Sequence, residues 1–532
     1  MKQHLLAACL AASVAFTGVL HAQETVDLDV TSRIRQEAFQ RSQVMATLNH
    51  LTDVIGPRLT NSPSMALANA WTRSKFTEWG MSNVHDEAVD AIGRGWEFSD
   101  AGVEMLSPRV MPLHALPKAW TPGTTGPVDG EAVYAKLQNK ADLEKWKGKL
   151  KGKVLFTDEL RAYKPNEKSD FDRHDPESLE ELLSYPLPTD RRTGGPDQLA
   201  QLRERMEFTP LLNTFLVEEG VVGTVSISSW DNGIVRVMGG GSRKAGEQVG
   251  VPAMVMMAEH YNTVMRALNR KEVVRLRLNV NARFTGDTDQ PGYNTIAEIQ
   301  GSGPQRDEVV MLGAHMDSWH TGSGANDNGA GVAVMMEAMR ILKAVGAKPN
   351  RTIRVALWTG EEQGLLGSQA YVAKHFASYA EPTDPEQKAL PAAFRTNRGK
   401  LQRTPAYNKI AAYFNLDNGS GKIRGIYAQE NLAAAPIFES WLKPWNDVGA
   451  TIVTQRNTGS TDHVSFDRAG IPGFQFVQDQ LDYFSHVHHT HLDVQDHAVA
   501  EDLKQASAIV ASFVYNTATR PGKLPRKMLV ED

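Results

Sequence analysis

The run Val309-Val310-Met311-Leu312-Gly313-Ala314-His315-Met316-Asp317-Ser318-Trp319 carries the reading of the fold. Its first four residues are large and apolar, so Val309 to Leu312 reads as a buried strand that ends in polar side chains. Downstream, Gly331 to Val345 places Met335, Met336, Met339 and Leu342 at helical intervals, and these methionines read as core packing. Arg351 to Trp358 is the next strand, followed by a helix that includes Leu365 to Phe376. Ile410 to Leu416 and Ile471 to Val477 are further strands. Strand, helix, strand in succession predicts an α/β fold, a doubly wound and mainly parallel sheet with helices on both faces. Ligands of such a sheet gather in the loops beyond the C-terminal ends of its strands.

The polar residues at those ends are of a few kinds. His315 and Asp317 alternate along extended backbone and so share a face, where the carboxylate can hydrogen-bond and orient the imidazole or another ligand. Asp327 lies in the Gly-rich stretch Gly324-Ala325-Asn326-Asp327-Asn328-Gly329-Ala330-Gly331 just before a helix, which is also where an ordinary N-cap sits. Glu361-Glu362, within Thr359-Gly360-Glu361-Glu362-Gln363-Gly364, end one strand and open a helix. One of the pair can ligate a metal while its neighbour takes a proton; the plainer alternative is a solvated pair complementing the helix dipole. Asp417 ends the strand Ala411 to Leu416, and Phe484 to Asp493 holds four histidines, His486, His488, His489 and His491. In order along the chain, these are the ligand types of a hydrolytic zinc site with a carboxylate to spare as a base.

Around this core, 532 residues suit two domains. Hydrophobic residues at 41% and charged residues at 22% describe a soluble globular chain. A formal charge of −5 gives no basic footprint for nucleic acid and argues against anionic membrane surfaces. Lys2, the apolar stretch Leu5 to Leu20 and Ala22 read as a cleavable export signal over 1–22, shorter than the ~20 residues a membrane span needs. The expected location is secreted or periplasmic. The single cysteine, Cys9, falls inside that segment.

Val30 to Val84 reads as helices interrupted at Ile55-Gly56-Pro57-Arg58-Leu59-Thr60. Strand-like runs at Gly102 to Met105, Glu131 to Tyr134, Val154 to Thr157, Val221 to Ile227 and Val251 to Met257 follow. They suggest a smaller β-rich or α/β module over 119–288, inserted between a first part of the main domain, 23–118, and its catalytic part, 289–532. Within the module, Asp158 to Glu207 is rich in charge and proline, and reads either as a solvated excursion or as a flap over the site.

The joint pattern, H-x-D-S-W, a Gly-flanked Asp, T-G-E-E-Q-G, a strand-end Asp and H-T-x-x-D, resembles the zinc aminopeptidase and glutamate carboxypeptidase family. Asp287-Thr288-Asp289 before Tyr293 to Ile299, and Gly459-Ser460-Thr461-Asp462 before Phe466, make it most similar to the carboxypeptidase Q branch. The resemblance covers roughly residues 35 to 520 and likens the 119–288 module to a protease-associated insert. It implies two zinc ions: one on His315 and Asp417, one on Glu362 and His489, with Asp327 bridging. It further implies Glu361 as general base acting on a metal-bridging water, Asp317 as supporting carboxylate, and a cis peptide after Asp327.

Where several relatives have Tyr before the ligand histidine, this chain has His488, as that branch does; we read it as a hydrogen-bond donor to the tetrahedral intermediate. The expected reaction is hydrolysis of dipeptides or short peptides, most naturally at a free N-terminus. A single-zinc glutaminyl cyclase and a non-catalytic peptide-binding protein of the same fold are the alternatives. Dimers occur among relatives, so a homodimer stays open. Asp462 is a candidate for a substrate amine, and Arg243, Arg424 and Arg456 for a substrate carboxylate, although the sequence alone places none of them in the pocket.

Overall fold

The computed structural model describes residues 24–185, 196–390, 395 and 399–529. The export signal expected at 1–22 lies outside them, as does part of the charged segment 158–207. Strand Val309–His315 is the centre of the C-terminal half and is buried at every position. Thr352–Trp358 pairs with it in parallel on one side and Ile410–Asn415 on the other, and Gly473–Gln478 is parallel to the latter. The chain therefore reverses its direction of sheet growth at Val309–His315, and a crevice opens at the C-terminal edge there. Side chains alternate between two cores. Val310, Leu312 and Ala314 pack with helices Leu28–Gln40, Ala330–Ala344 and Ala500–Thr519. Val309 and Met311 face Tyr371, Phe376 and Phe466 around helices Leu366–His375 and His463–Arg468.

The sheet is mixed as well as long. Ile423–Tyr427 joins antiparallel to Gly473–Gln478. On the other side Arg275–Ile299 is antiparallel to Thr352–Trp358. This 25-residue strand and its 26-residue antiparallel partner Ser82–Ser107 replace the short strand expected at Gly102 to Met105. The expectation fell short because their charged and glycine positions carry little apolar alternation.

Both strands serve two lobes. Thr295–Ile299 pairs with Thr352–Trp358, while Arg275–Leu278 pairs with Val128–Glu131 and so with the parallel run Lys153–Phe156, Gly223–Ile227 and Ala253–Met256. Those strands enclose a separate apolar cluster around Phe156, Val225, Met254 and Tyr261. Bulges interrupt the long pair between Val89 and Gly95, where Asn61 Nδ2 donates to the carbonyls of Gly93 and Gln290. Among the described residues no helix is long and apolar enough to cross a membrane.

Candidate metal centre

Three parallel strands deliver their last residues to one edge: His315, the pair Glu361-Glu362 after Trp358, and Asp417 after Asn415. His315 Nδ1 lies 2.9 Å from the Asp317 backbone carbonyl, which therefore accepts its hydrogen and leaves Nε2 with a lone pair towards the crevice. The carboxylate of Asp317, expected to hydrogen-bond His315 or another of the ligands, is 3.7 Å from Nδ1 and serves the second of these. It accepts the backbone N–H groups of Glu361 (3.1 Å) and Glu362 (3.3 Å), together with the Thr60 hydroxyl at 3.0 Å. The strand-end turn that aims both glutamates is thus fixed from the neighbouring strand.

Asp327 sits in a tight turn whose Asp327–Asn328 peptide bond is cis, in agreement with the expectation. Asp493 holds the turn by accepting the N–H groups of Asn326 (2.6 Å) and Asp327 (3.2 Å). Asn328 staples it to the Asp417 strand, donating to the Leu416 carbonyl at 3.0 Å and accepting from Gly331 N–H at 3.0 Å. A Cβ on Gly331 would come within 2.2 Å of Asn328 Oδ1 and 2.4 Å of the Leu416 carbonyl, so only glycine lets the turn approach. Arg58, wholly buried, donates to the carbonyls of Met316, Ser323 and Gly324 at 2.7–2.8 Å and to those of Leu51 and Gly56 at 3.2 Å. It ties the first helices to the ligand loops, a role of which only the break at residues 55–60 is visible in the sequence.

His488 and His489 come from the loop after Tyr483–Val487, with His489 in the left-handed region at φ 62°. Few non-glycine residues adopt that conformation unforced. It is held by Val237 N–H on the His489 carbonyl (3.0 Å) and His491 N–H on the Val235 carbonyl (3.2 Å).

The five expected ligands converge. His315 Nε2 is 3.3 Å from Asp417 Oδ1 and 3.3 Å from Asp327 Oδ1. His489 Nε2 is 3.1 Å from Asp327 Oδ2 and 3.1 Å from Glu362 Oε2. Asp327 therefore offers one oxygen to each half. His488 Nε2 is 3.9 Å from Asp327 Oδ2 and is a further donor on the second side. Four ligands about 2.0–2.1 Å from a tetrahedral zinc stand roughly 3.3 Å apart, so these spacings fit an ion in each half. Asp327 Oδ2 and Glu362 Oε1 are enclosed without a hydrogen-bond partner among the described residues. Oxygens left so would be costly unless a cation claimed them.

The site's charges are strongly coupled. Burial raises Glu361 well above the usual carboxylate range; His315 pulls against this, while Asp417, Asp462 and Glu362 add to it. Burial and Asp327 push Glu362 up to about 7. Burial opposes charge on His489, but Glu362 and Asp327 outweigh it and raise the imidazole to about 10. His488 differs: burial, with His489 and Arg236 nearby, lowers it to about 4, so it stays neutral. Arg236 NH2 lies 3.4 Å from its Nδ1, which makes Nδ1 the acceptor and leaves the hydrogen on Nε2, facing the crevice.

Of the remaining candidates, Asp462 is near enough to act on Glu361 and His315; it is fully buried, neither carboxylate oxygen has a hydrogen-bond partner among the described residues, and burial pushes it up to about 7. The three arginines lie elsewhere. Arg243 donates to the Ile92 carbonyl, Arg424 is held by Asp479, and Arg456 bonds the backbone of Glu181 and Ser184. The cation beside the histidines is Arg236, which the sequence reading missed because nothing in its own neighbourhood marks it.

Histidines and carboxylates in this order at such a sheet edge define a metallopeptidase. Residues 294–514 match the family model of peptidase family M28. Mouse carboxypeptidase Q is 24% identical over 506 residues, 95% of this chain and 90% of that protein. Aminopeptidase YwaD of Bacillus subtilis is 28% identical over 281 residues, 52% of this chain and 54% of its own length. Among solved structures, a peptidase M28 precursor from Shewanella amazonensis matches with a TM-score of 0.63 at 25% identity, covering 94% of this chain and 99% of that one. A zinc aminopeptidase from Bacillus subtilis has a TM-score of 0.53 at 19% identity, covering 90% and 95%, and shares the fold. Residues 294–514 therefore carry a peptidase family M28 domain.

Proposed function

We propose that the chain is an exported exopeptidase that uses two zinc ions to hydrolyse dipeptides or short peptides, acting at a free N-terminus. The observation that carries this reading is Asp327, whose two oxygens face different ligand pairs, His315 with Asp417 and His489 with Glu362, at 3.1–3.3 Å. Zinc in these sites would supply Lewis acidity towards the peptide carbonyl and acidify the attacking water. Glu361 is the general base: no side chain among the described residues hydrogen-bonds its carboxylate, and its raised proton affinity suits a group that takes a proton from water and gives it to the leaving amine. Water's hydroxyl joins the carbonyl carbon, the C–N bond breaks, and the amine leaves with that proton. His488 donates Nε2–H to the oxyanion, and Asp317 keeps both glutamates aimed.

We assign residues 119–288 as a protease-associated insert, and the short peptide as the partner of the site, with neither nucleic acid nor membrane required. The apolar run Leu5 to Leu20 supports export. The deciding experiment offers the zinc-loaded chain matched free, N-acetylated and C-terminally amidated short peptides and measures amine release. Cleavage of the free peptide with rejection of the acetylated one is expected. Rejection of the amide as well narrows the activity to dipeptides. Cleavage of the acetylated peptide with rejection of the amide would replace this reading by a carboxypeptidase. Silence on the whole set would move it to the cyclase or the binding protein.

A further inference from the structure

We infer that the lobe spanning 119–288 holds a second ligand site, a cavity between its sheet and helix Pro196–Glu218 that takes a free amino acid with a large apolar side chain. The ligand would be held through both its carboxylate and its ammonium. This goes beyond the peptidase reading, which uses no residue of the cavity.

The parallel strands of that lobe have two faces. Val154, Phe156, Val225 and Met254 fill one, in the cluster around Tyr261. The other face is covered in two places. Leu155 packs with Leu216 of helix Pro196–Glu218 and with Val251. Val255 packs with Val235 and Val237, in the strap that clasps the His489 loop. A cavity of about 770 Å³ remains, reaching from Leu155 and Leu216 to Gly239-Gly240 of the same strap. Small-molecule sites span roughly 300–1,000 Å³.

Lys118 lines this cavity with its backbone fixed, its N–H donating to the Ala253 carbonyl at 2.8 Å. Its stem lies against Gly240, where a Cβ would come within 2.7 Å of Lys118 Cβ and Cδ. The side chain is half-buried, and among the described residues no group hydrogen-bonds its ammonium. Burial draws that ammonium below its ordinary 10.5; Asp158 opposes this without pairing with it, and Arg205 adds to it. A partly desolvated cation in this state is stabilised by an anion that brings both charge and acceptor.

Asp158 lines the same cavity. Its Oδ2 accepts the Thr157 hydroxyl and the Ile227 N–H, each at 3.0 Å, and no described residue donates to Oδ1. Cation and anion thus share the cavity without meeting each other. An α-amino acid carries the complementary pair, a carboxylate for Lys118 and an ammonium for Asp158. Arg205 and Glu204 add one charge of each sign, so a simple anion would face two carboxylates as well as two cations. Leu155, Phe208, Leu212 and Leu216 supply an apolar wall, from which an aromatic side chain gains most.

The test is calorimetry on the zinc-loaded chain with phenylalanine, phenylalaninamide, N-acetylphenylalanine and glycine. Phenylalanine is expected to give a binding event that weakens about 10-fold or more when either end is blocked, as loss of a charged hydrogen bond would give. Glycine should not produce it, and it should vanish in Lys118→Met. Hydrogen exchange locates the event: phenylalanine should slow exchange over residues 203–218 and 235–241. Protection confined to the ligand loops at 313–331 and 485–493 would place the amino acid on the metal ions alone and overturn the cavity site. Binding that survives Lys118→Met, or that is indifferent to blocked ends, would overturn it too. Where melting temperature shows that Lys118→Met has lost its fold, Leu212→Trp, which fills the cavity and keeps the lysine, carries the comparison and should abolish the same event. The cavity is read apart from turnover, so a chain that cleaves no peptide would end the peptidase reading and leave this result standing.

Discussion

Trp319 donates its indole N–H to Glu362 Oε2 across 2.7 Å, and the same oxygen stands 3.1 Å from His489 Nε2. The indole thereby fixes which carboxylate oxygen faces the second half of the site. Trp319→Phe keeps an aromatic ring and removes the donor. Zinc affinity in that half should fall about 10–100-fold, as for other lost supports of metal ligands, while the His315 and Asp417 half is spared. Zinc retained after dialysis against graded chelator measures this; a retention curve identical to wild type would show that the indole does not support Glu362 as a ligand.

Asp327 and Glu362 should separate by stoichiometry. Asp327→Ala takes an oxygen from each half and is expected to deplete both ions, whereas Glu362→Ala should deplete mainly one. Elemental analysis showing two full equivalents in either variant would sink the ligand assignment.

Glu361→Gln tests the base. The amide cannot take a proton, so turnover should fall by roughly 10²–10⁴-fold or more with both ions kept. If zinc is lost in proportion to activity, Glu361 is a ligand and the two neighbouring glutamates exchange roles.

Arg58→Met would leave five backbone carbonyls without their buried donor. Burial already draws this guanidinium down to about 10, yet its neighbours Asp493, Asp317 and Asp327 favour the charged form. A loss on the order of 3–5 kcal/mol is expected, comparable to breaking a buried ionic contact. Thermal unfolding with and without chelator reads it, and a melting temperature unchanged in both would show that the loops hold themselves.

His320 provides a pH dependence away from the ligands. It is fully buried, contacts the Pro117 carbonyl through Nε2 at 2.7 Å, and burial lowers it to about 4. A folded-state value below the ordinary 6.5 means the neutral form contributes stability above pH 6.5. That stability is lost as pH falls through about 4, on the order of 3 kcal/mol. His320→Gln should flatten the acid limb of the stability curve relative to wild type between these values. Parallel acid limbs would assign the loss to other groups.

Much of the centre was legible because its ligands follow apolar strands. His315 and Asp417 end runs that are buried throughout, and parallel pairing brings such ends to one edge without further information. What was illegible depends on distant partners. The Asp317 carbonyl, not its carboxylate, meets His315, a choice made by the local turn and invisible in residue types. Thr60 and Arg58 act more than 250 positions from the loops they brace, and Arg236 stands beside the histidines through a bridge to Thr490 that no local pattern announces. The long strands Ser82–Ser107 and Arg275–Ile299 were missed for another reason. Each is half-solvated with charges on both faces, so neither shows the alternation that reveals a strand.

Those two strands pass from one lobe into the other without a linker, and their bulges at Val89 to Gly95 are braced by Asn61. The molecule is built as a caliper rather than a jaw: one arm carries His315 and the glutamates, the other carries Arg236, and the span between them is set at the braced bulge. Peptide length would then be gauged by a fixed gap, and a residue changed at Asn61, itself none of the ligands, would retune which peptides fit.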